Sequence, residues 1–312
     1  MTYSQRKVRT AILLLLPAFL AMIGTIVFPL LNGVRLSFYK YNLTNPEAGE
    51  RFFGLRNFQR LLTIKEVEFN DAFPFIEVRF ADRLFWESLG NTLVYAFGVM
   101  GISFVIGFAL ALLLNRDIVL RGFFRTLFFI PWVVPSVVVA LLAMWMFNQS
   151  YGVINYILQA AGIIKEFLPW LQRTDLAMWT VIIVTVWKTF PFMMVMLLSG
   201  LQTIPQEQID AARIDGANSL QVFRHVTLPN LQEIIMIVTL LEIIWEFQNF
   251  TFIWILTKGG PVNATTTWPI YVYRTAFKAY EVGYASAIGT LWLIALGIFS
   301  IFYIRIVGTR EE

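Results

Sequence analysis

Residues Leu89–Leu114 read LGNTLVYAFGVMGISFVIGFALALLL, 26 residues without a formal charge. A helix needs about 20 apolar residues to cross the ~30 Å hydrocarbon core of a bilayer. This stretch is therefore long enough to span a membrane. It is too long for a barrel strand and lacks a strand's apolar/polar alternation. Five further stretches pass the same test: Thr10–Leu31, Leu127–Phe147, Leu176–Leu198, Ile234–Leu256 and Tyr284–Ile304. Four of the six carry no charge, one holds Lys188, and one holds Glu242 and Glu246. With 58% hydrophobic and 14% charged residues, the 312-residue chain has too little polar side chain to cover a soluble globule. The expectation is an all-α, polytopic membrane bundle of about six helices, one domain over residues 1–312.

The flanks orient it. Arg6, Lys7 and Arg9 precede the first stretch, whose apolar run is too long for a signal peptide and has no small-residue cleavage site after it, so it reads as a retained signal anchor. Arg116, Arg121 and Arg125 follow the second stretch. Positive flanks stay inside, so both termini are expected in the cytoplasm. The first outer loop, about residues 37–87, is long enough to cross with its charge: Lys40 to Glu87 mixes seven Lys/Arg with eight acids. It opens with the turn-rich Asn45-Pro46-Glu47-Ala48-Gly49 and continues as an amphipathic run to Trp86. Pro17, Pro29, Pro131, Pro135 and Pro191 lie inside or at the ends of the membrane stretches and invite kinks. Gly107 with Ala111, and Ala285 with Gly289, have the spacing that lets helices approach closely. Asn42, Asn148 and Asn263 each begin an Asn-x-Ser/Thr triplet, to which no role is assigned.

Catalytic signatures are missing. There is no Gly-x-x-x-x-Gly-Lys-Ser/Thr loop to cradle nucleotide phosphates, no Gly-x-Ser-x-Gly and no His-Glu-x-x-His. His225 is the only histidine and there is no cysteine, so no thiolate or imidazole partner can complete a metal site with it. The expectation is a chain with no catalytic residue, no metal and no cofactor of its own. The net charge of +4 belongs to the membrane flanks rather than to a nucleic-acid surface.

One hydrophilic segment, Ile204–Pro229, reads IPQEQIDAARIDGANSLQVFRHVTLP. Pro205 suits the first turn of a helix, Glu207 and Asp210 suit its N-terminal half, and Gly216 suits a left-handed cap. Asn218 or Ser219 can cap a second short helix with Leu220, Phe223 and Val226 on one face, stopped by Pro229. Two short helices at an angle would present Ile209, Ala212 and Ala217 around a bend, a small apolar knuckle in a charged setting that calls for a docking partner.

The same segment resembles the EAA loop of ABC importer permeases, with Asp210, Ala211, Ala212, Gly216, Val226, Leu228 and Pro229 on the motif and Asp210 in place of the usual Glu. Other segments resemble the carbohydrate-uptake branch, the maltose and glycerol-phosphate permease relatives. These are Phe53-Gly54-Leu55 with Asn57-Phe58, then Phe85-Trp86 and Asn91-Thr92 after an apparent insertion at Thr63–Asp82. Trp187-Lys188 with Pro191-Phe192, Gly200-Leu201, Leu256-Thr257 with Gly259-Gly260-Pro261, and Gly283-Tyr284-Ala285-Ser286-Ala287 complete the series. The resemblance runs from about Ala11 to Tyr303. It implies that the loop over residues 204–229 is a coupling helix received by a cytoplasmic ATPase, with Asp210, Ala211, Ala212, Gly216, Ala217, Phe223, Leu228 and Pro229 as its coupling residues. It also implies a prokaryotic cytoplasmic membrane and several partners: a second homologous permease or a second copy of this chain, two ATP-binding cassette subunits that bind ATP and Mg, and an extracytoplasmic solute-binding protein. A sugar, oligosaccharide, sugar acid, polyol or glycerol phosphate would be the solute.

Lys188, Glu242 and Glu246 cannot face lipid without large cost. Glu242 and Glu246 share one helix face. They serve either a polar path or, as the favoured expectation, a structural ion pair with Lys188. Sugar sites combine flat aromatic surfaces with amides and hydroxyls, which makes Trp187, Phe190, Gln248, Asn249 and Tyr284 candidate solute contacts. An ion- or proton-coupled carrier using Lys188 and the two glutamates is the alternative; the coupling-type loop and the lack of internal repeats count against it.

Overall fold

A computed structural model describes residues 3–308 apart from 46, 48 and 70–75, with side chains outside 3–11, 67–69, 76–79 and 306–308. Positions 46 and 48 of the expected turn, and the middle of the insertion, thus lie outside the described residues. Five helices are long and apolar enough to cross a membrane: Ile12–Leu36, Arg83–Leu114, Thr174–Leu201, Gln232–Leu256 and Val282–Arg305. A bent pair, Arg121–Val133 and Ser136–Met146, turned by 91°, makes up to six if counted as one span.

That bend is the sharp form of the kink that Pro131 and Pro135 invite within Leu127–Phe147. A proline pushes the residue before it into the extended region and donates no N–H. Val134 accordingly sits at φ −65°, ψ 131°, and Pro135 at φ −56°, ψ 134°. Two other prolines are absorbed instead. Ahead of Pro29 the helix loosens into a π-turn at Ile23–Val27, and ahead of Pro229 into another at Phe223–Thr227. In each case the wider turn accommodates the missing donor and the bulk of the ring. Pro229 therefore does not stop its helix as expected; the chain passes through Leu228–Asn230 almost directly into Gln232–Phe247.

By compactness the chain divides into two units, one from the chain up to Phe85 plus Tyr271–Ile294, the other from Trp86–Ile270 plus the chain from Ala295 on. In the first, two short antiparallel hairpins interrupt the helical plan: Tyr39–Lys40 with Arg51–Phe52, and Ile64–Phe69 with Ile76–Phe80. The second gives part of the amphipathic run its form, because alternation in IKEVEF and IEVRF has the period of a strand. Asn57 on the helix Arg56–Leu62 donates to the carbonyls of Ser37 and Tyr39 at 2.8 and 3.0 Å. Gly283 packs its backbone on Tyr41, 3.1 Å from N to O, where a Cβ would collide with the Tyr39 carbonyl.

In the second unit Thr174–Leu201 is the most buried span and the axis of the core. Tyr95, Val99, Ile182, Ile253 and Ile270 form one cluster around it, and Leu114, Met193, Met194, Leu197 and Leu231 another. Gly107 makes the second possible, since a Cβ there would lie 2.6 Å from the Met193 Cβ. Signature residues distant in sequence meet here. Asn91 donates to the carbonyls of Asn263 and Thr266 at 3.0 and 3.1 Å, and Thr92 accepts from the Trp268 N–H at 2.9 Å. The loop they hold is braced internally, with Thr257 and Thr265 hydroxyls 2.6 Å apart and Thr266 donating to the Gly259 carbonyl at 2.8 Å.

Candidate coupling and translocation sites

The helix Gln206–Ile214 begins after Pro205 and ends at Asp215. Gly216 takes φ 87°, and the amides of Ala217 and Gly216 return to the carbonyls of Ala212 and Arg213 at 2.9 and 3.0 Å. These paired returns are the Schellman end that a glycine in the left-handed region permits. Asn218, of the two caps considered, opens the next turn: it accepts from the Gln221 amide at 3.0 Å while Gln221 Oε1 accepts from the Asn218 amide at 2.8 Å. This reciprocal capping box fixes the bend at both sides. Asn230 then donates to Gln208 Oε1 at 3.0 Å and ties the two arms together.

The knuckle is solvent-facing. Asp210, Ala211, Gly216, Leu228 and Pro229 are exposed, and Ala212, Ala217 and Phe223 are half-buried. A concavity of about 310 Å³ opens between the arms, lined by Ala212, Asp215, Gly216, Ala217, Gln221, His225 and Val226. The expected apolar face of the second arm is split: Phe223 packs on Phe108 with ring centroids 5.8 Å apart, whereas Leu220 is 73% exposed. Val222 and Thr227 are the residues buried instead. Ile214, 86% exposed, is an apolar element of the knuckle that motif reading missed; its place at the helix end, beside Asp215-Gly216, was the available signal. Asp210 Oδ1 accepts from Gln206 Nε2 at 3.1 Å and lies 3.7 Å from Arg213, so its carboxylate is held loosely at the surface.

Inside the bundle the charges are distributed otherwise than expected. Lys188 does not reach the glutamates. Its ammonium donates to the Trp132 carbonyl and lies 5.0 Å from the centre of the Trp132 ring. That carbonyl is near the end of the first arm of the bent pair, where Pro135 breaks the helix and leaves C=O groups without helical donors. Lys188 thus serves the elbow. Around it Trp132, Phe192 and Trp245 form an aromatic group with centroids 5.2, 4.9 and 6.1 Å apart. Sequence reading named Phe192 only within a family signature and did not single out Trp132, which reaches it from the bent pair.

Of the candidate solute contacts, Gln248 is exposed and Asn249 half-buried at the break between Gln232–Phe247 and Thr251–Leu256. Asn249 donates to Glu246 Oε2 at 2.8 Å. Phe190 is half-buried. Trp187 lines a separate apolar groove of about 380 Å³ with Val139, Ala143, Met146 and Ile183. Tyr284 belongs to the first unit and is buried: its hydroxyl donates to Asp82 Oδ2, as does that of Tyr271 at 2.5 Å, and Arg60 covers its ring at 3.9 Å. Arg60 also bonds Glu281 at 2.7 Å. Burial first, and then the Asp82 carboxylate, push the Tyr271 phenol well above its ordinary value. Tyr284 therefore organises this unit. No group of three or more metal-ligating side chains occurs among the described residues.

A bundle with a bent third crossing, a broken fifth helix and an exposed two-helix knuckle between the fourth and fifth defines a polytopic membrane transport component. Residues 103–311 match the model of the binding-protein-dependent transport system inner membrane components, and the chain belongs to that family. It is 35% identical to a probable ABC transporter permease protein, y4oQ, of Sinorhizobium fredii over 92% of this chain and 86% of that one. It is 32% identical to the trehalose/maltose transport system permease protein MalF of Thermococcus litoralis over 98% and 96% of the two chains. In fold it is similar to a chain of a bacterial ABC transporter involved in import of the acidic polysaccharide alginate, with a TM-score of 0.79, 19% identity and 98% coverage of both chains.

Proposed function

We propose that this chain is the transmembrane subunit of an ATP-driven importer, forming half of the pathway for a carbohydrate or related polyhydroxy solute. An external binding protein delivers the solute, a second permease or second copy supplies the other half, and two cytoplasmic subunits bind ATP and Mg. The observation that carries this reading is the family match over residues 103–311, which contains the exposed, doubly capped knuckle at 206–230. The full-length likeness to the trehalose/maltose permease supports the solute class. The knuckle is the coupling element: its half-buried Ala212 and Ala217 and exposed Ile214 enter a cleft of the ATPase, and Gly216 keeps the bend free of side chain. The group of Trp132, Phe192 and Trp245, with Gln248 and Asn249 at the break just after Trp245's helix, offers rings for sugar faces and amides for hydroxyls. Both termini and the knuckle lie on the cytoplasmic side.

Copurification and reconstitution test it. The chain should carry ATPase subunits through detergent, and vesicles holding the assembled complex and its binding protein should take up solute only with ATP. Uptake by this chain alone, driven by a proton gradient, would replace the reading with a secondary carrier. The absence of native cysteine allows single-cysteine mapping in intact cells. Gln221→Cys should resist an impermeant thiol reagent, while Glu50→Cys and Gln172→Cys should react.

A further inference from the structure

Glu242 is used by none of the features above, yet it is the most unusual side chain in the bundle. It is fully buried, and among the described residues no hydrogen bond of good geometry reaches either carboxylate oxygen, the nearest hydroxyl being that of Thr189. The groups around it belong to three helices. From its own helix comes Glu246, one turn on, 4% exposed and bonded to Asn249 at 2.8 Å. Arg83–Leu114 contributes Tyr95, which faces both glutamates and is 3.1 Å from the Thr185 hydroxyl, and Ser103, which is 2.9 Å from the Thr189 hydroxyl. Thr174–Leu201 contributes Thr185 and Thr189, and Thr189 lies beside Glu242. Toward the last span the packing around Ile243 and Phe247 is apolar, through Leu296 and Phe299. The bundle's lysine is engaged at Trp132.

A carboxylate in such a place is shut off from bulk solvent beside a second buried glutamate, with no cation near it among the described residues, and a buried group in that position neutralises instead. A proton removes the charge and adds a donor. The Thr189 oxygen, with two lone pairs, can accept from the protonated carboxyl while its own hydroxyl stays with Ser103.

We propose that Glu242 is a proton-binding site of the bundle: its carboxyl is neutral in this conformation and releases the proton when water enters the seam among these three helices. The release half rests on the importer reading, because it needs a cycle that opens the seam; the protonation half does not. Infrared spectroscopy of the purified full-length chain at neutral pH tests the latter. The wild type should show a protonated-carboxyl C=O band, shifted in D₂O, that is lost in Glu242→Gln and kept in Glu246→Gln and Glu242→Asp, with all variants running as folded monodisperse protein. Absence of the band in the wild type, its loss in Glu246→Gln instead, or its appearance only after sodium is removed would each overturn the site. In the reconstituted complex, Glu242→Gln should lower uptake several-fold and flatten its pH profile. A wild-type profile in that variant, with the band still assigned to Glu242, would overturn release alone. Failure of ATP-driven uptake in the wild type would strike the importer reading and leave the infrared assignment standing.

Discussion

Gly107 and Gly216 are glycines for opposite reasons. At Gly107 the backbone conformation is ordinary and the space is missing: an added Cβ would lie 2.6 Å from the Met193 Cβ and 2.9 Å from the Met194 amide. At Gly216 the space is open, with nothing within 4 Å, and the conformation is the constraint, at φ 87°. The first belongs to a seam built by tertiary packing, the second to a knuckle built by local rules. The difference governs both what substitutions do and how far each region can be read from sequence.

The largest expected effect is at the seam. Gly107→Leu must push apart a pair of helices whose backbones touch, and overpacking of this kind costs about 3 kcal/mol. Thermal unfolding in detergent and the yield of monodisperse protein check it. A near-wild-type Gly107→Leu would mean that the two spans are not closely packed there, and the contrast with Gly216 would collapse.

Gly216→Ala should destabilise by only about 1 kcal/mol, the strain of an L-residue in the left-handed region. Membrane insertion should be unchanged. Its main effect should fall on coupling, as lower ATP-driven uptake per ATP hydrolysed, with Gly216→Val more severe because a branched side chain intrudes into the docked bend. Wild-type assembly, hydrolysis and uptake in Gly216→Val would remove the knuckle from the coupling mechanism.

Local rules explain why the knuckle was legible. Pro205, Gly216 and Asn218 act on their immediate neighbours, so the two arms and the bend between them follow from residue types in order. The six apolar stretches were legible for the same reason, since length and composition decide a span. What was not legible depends on partners far away in sequence. Nothing in Trp187-Lys188 indicates that the lysine reaches the Trp132 carbonyl rather than a glutamate; the 91° elbow at Val134–Pro135 decides it. Tyr284 likewise joins Asp82 and Tyr271, some two hundred positions from the first of them, beyond a loop that carries two hairpins. Pro229 shows a local rule overridden, because a π-turn upstream made room for the ring.

A smaller effect tests the rearranged charges. Were Lys188 paired with Glu246, removing both would be much milder than the sum of the single losses. With Lys188 at the elbow and Glu246 on Asn249, the two sites share no partner. Lys188→Met and Glu246→Gln should therefore add to within about 0.5 kcal/mol in the double variant. Equilibrium unfolding of the four proteins measures this. A coupling well above that value would restore the ion pair.

The smallest effect is expected at Asp210, and it bears most directly on the knuckle as a docking surface. Its carboxylate meets Gln206 at 3.1 Å and Arg213 at 3.7 Å, both at the exposed surface. Such surface interactions contribute about 0.5 kcal/mol or less, so neither Asp210→Glu nor Asp210→Ala should move the unfolding midpoint appreciably. Function should separate them. Glu keeps the charge, lengthens the arm by one methylene and restores the residue usual in the EAA motif, so uptake and hydrolysis should stay near wild type. Ala removes the charge from the exposed arm, and ATPase retention through detergent should fall while the permease itself remains folded. Equal retention in all three proteins would mean that the carboxylate does not meet the ATPase, leaving the apolar bend of Ala212, Ile214 and Ala217 to carry the docking.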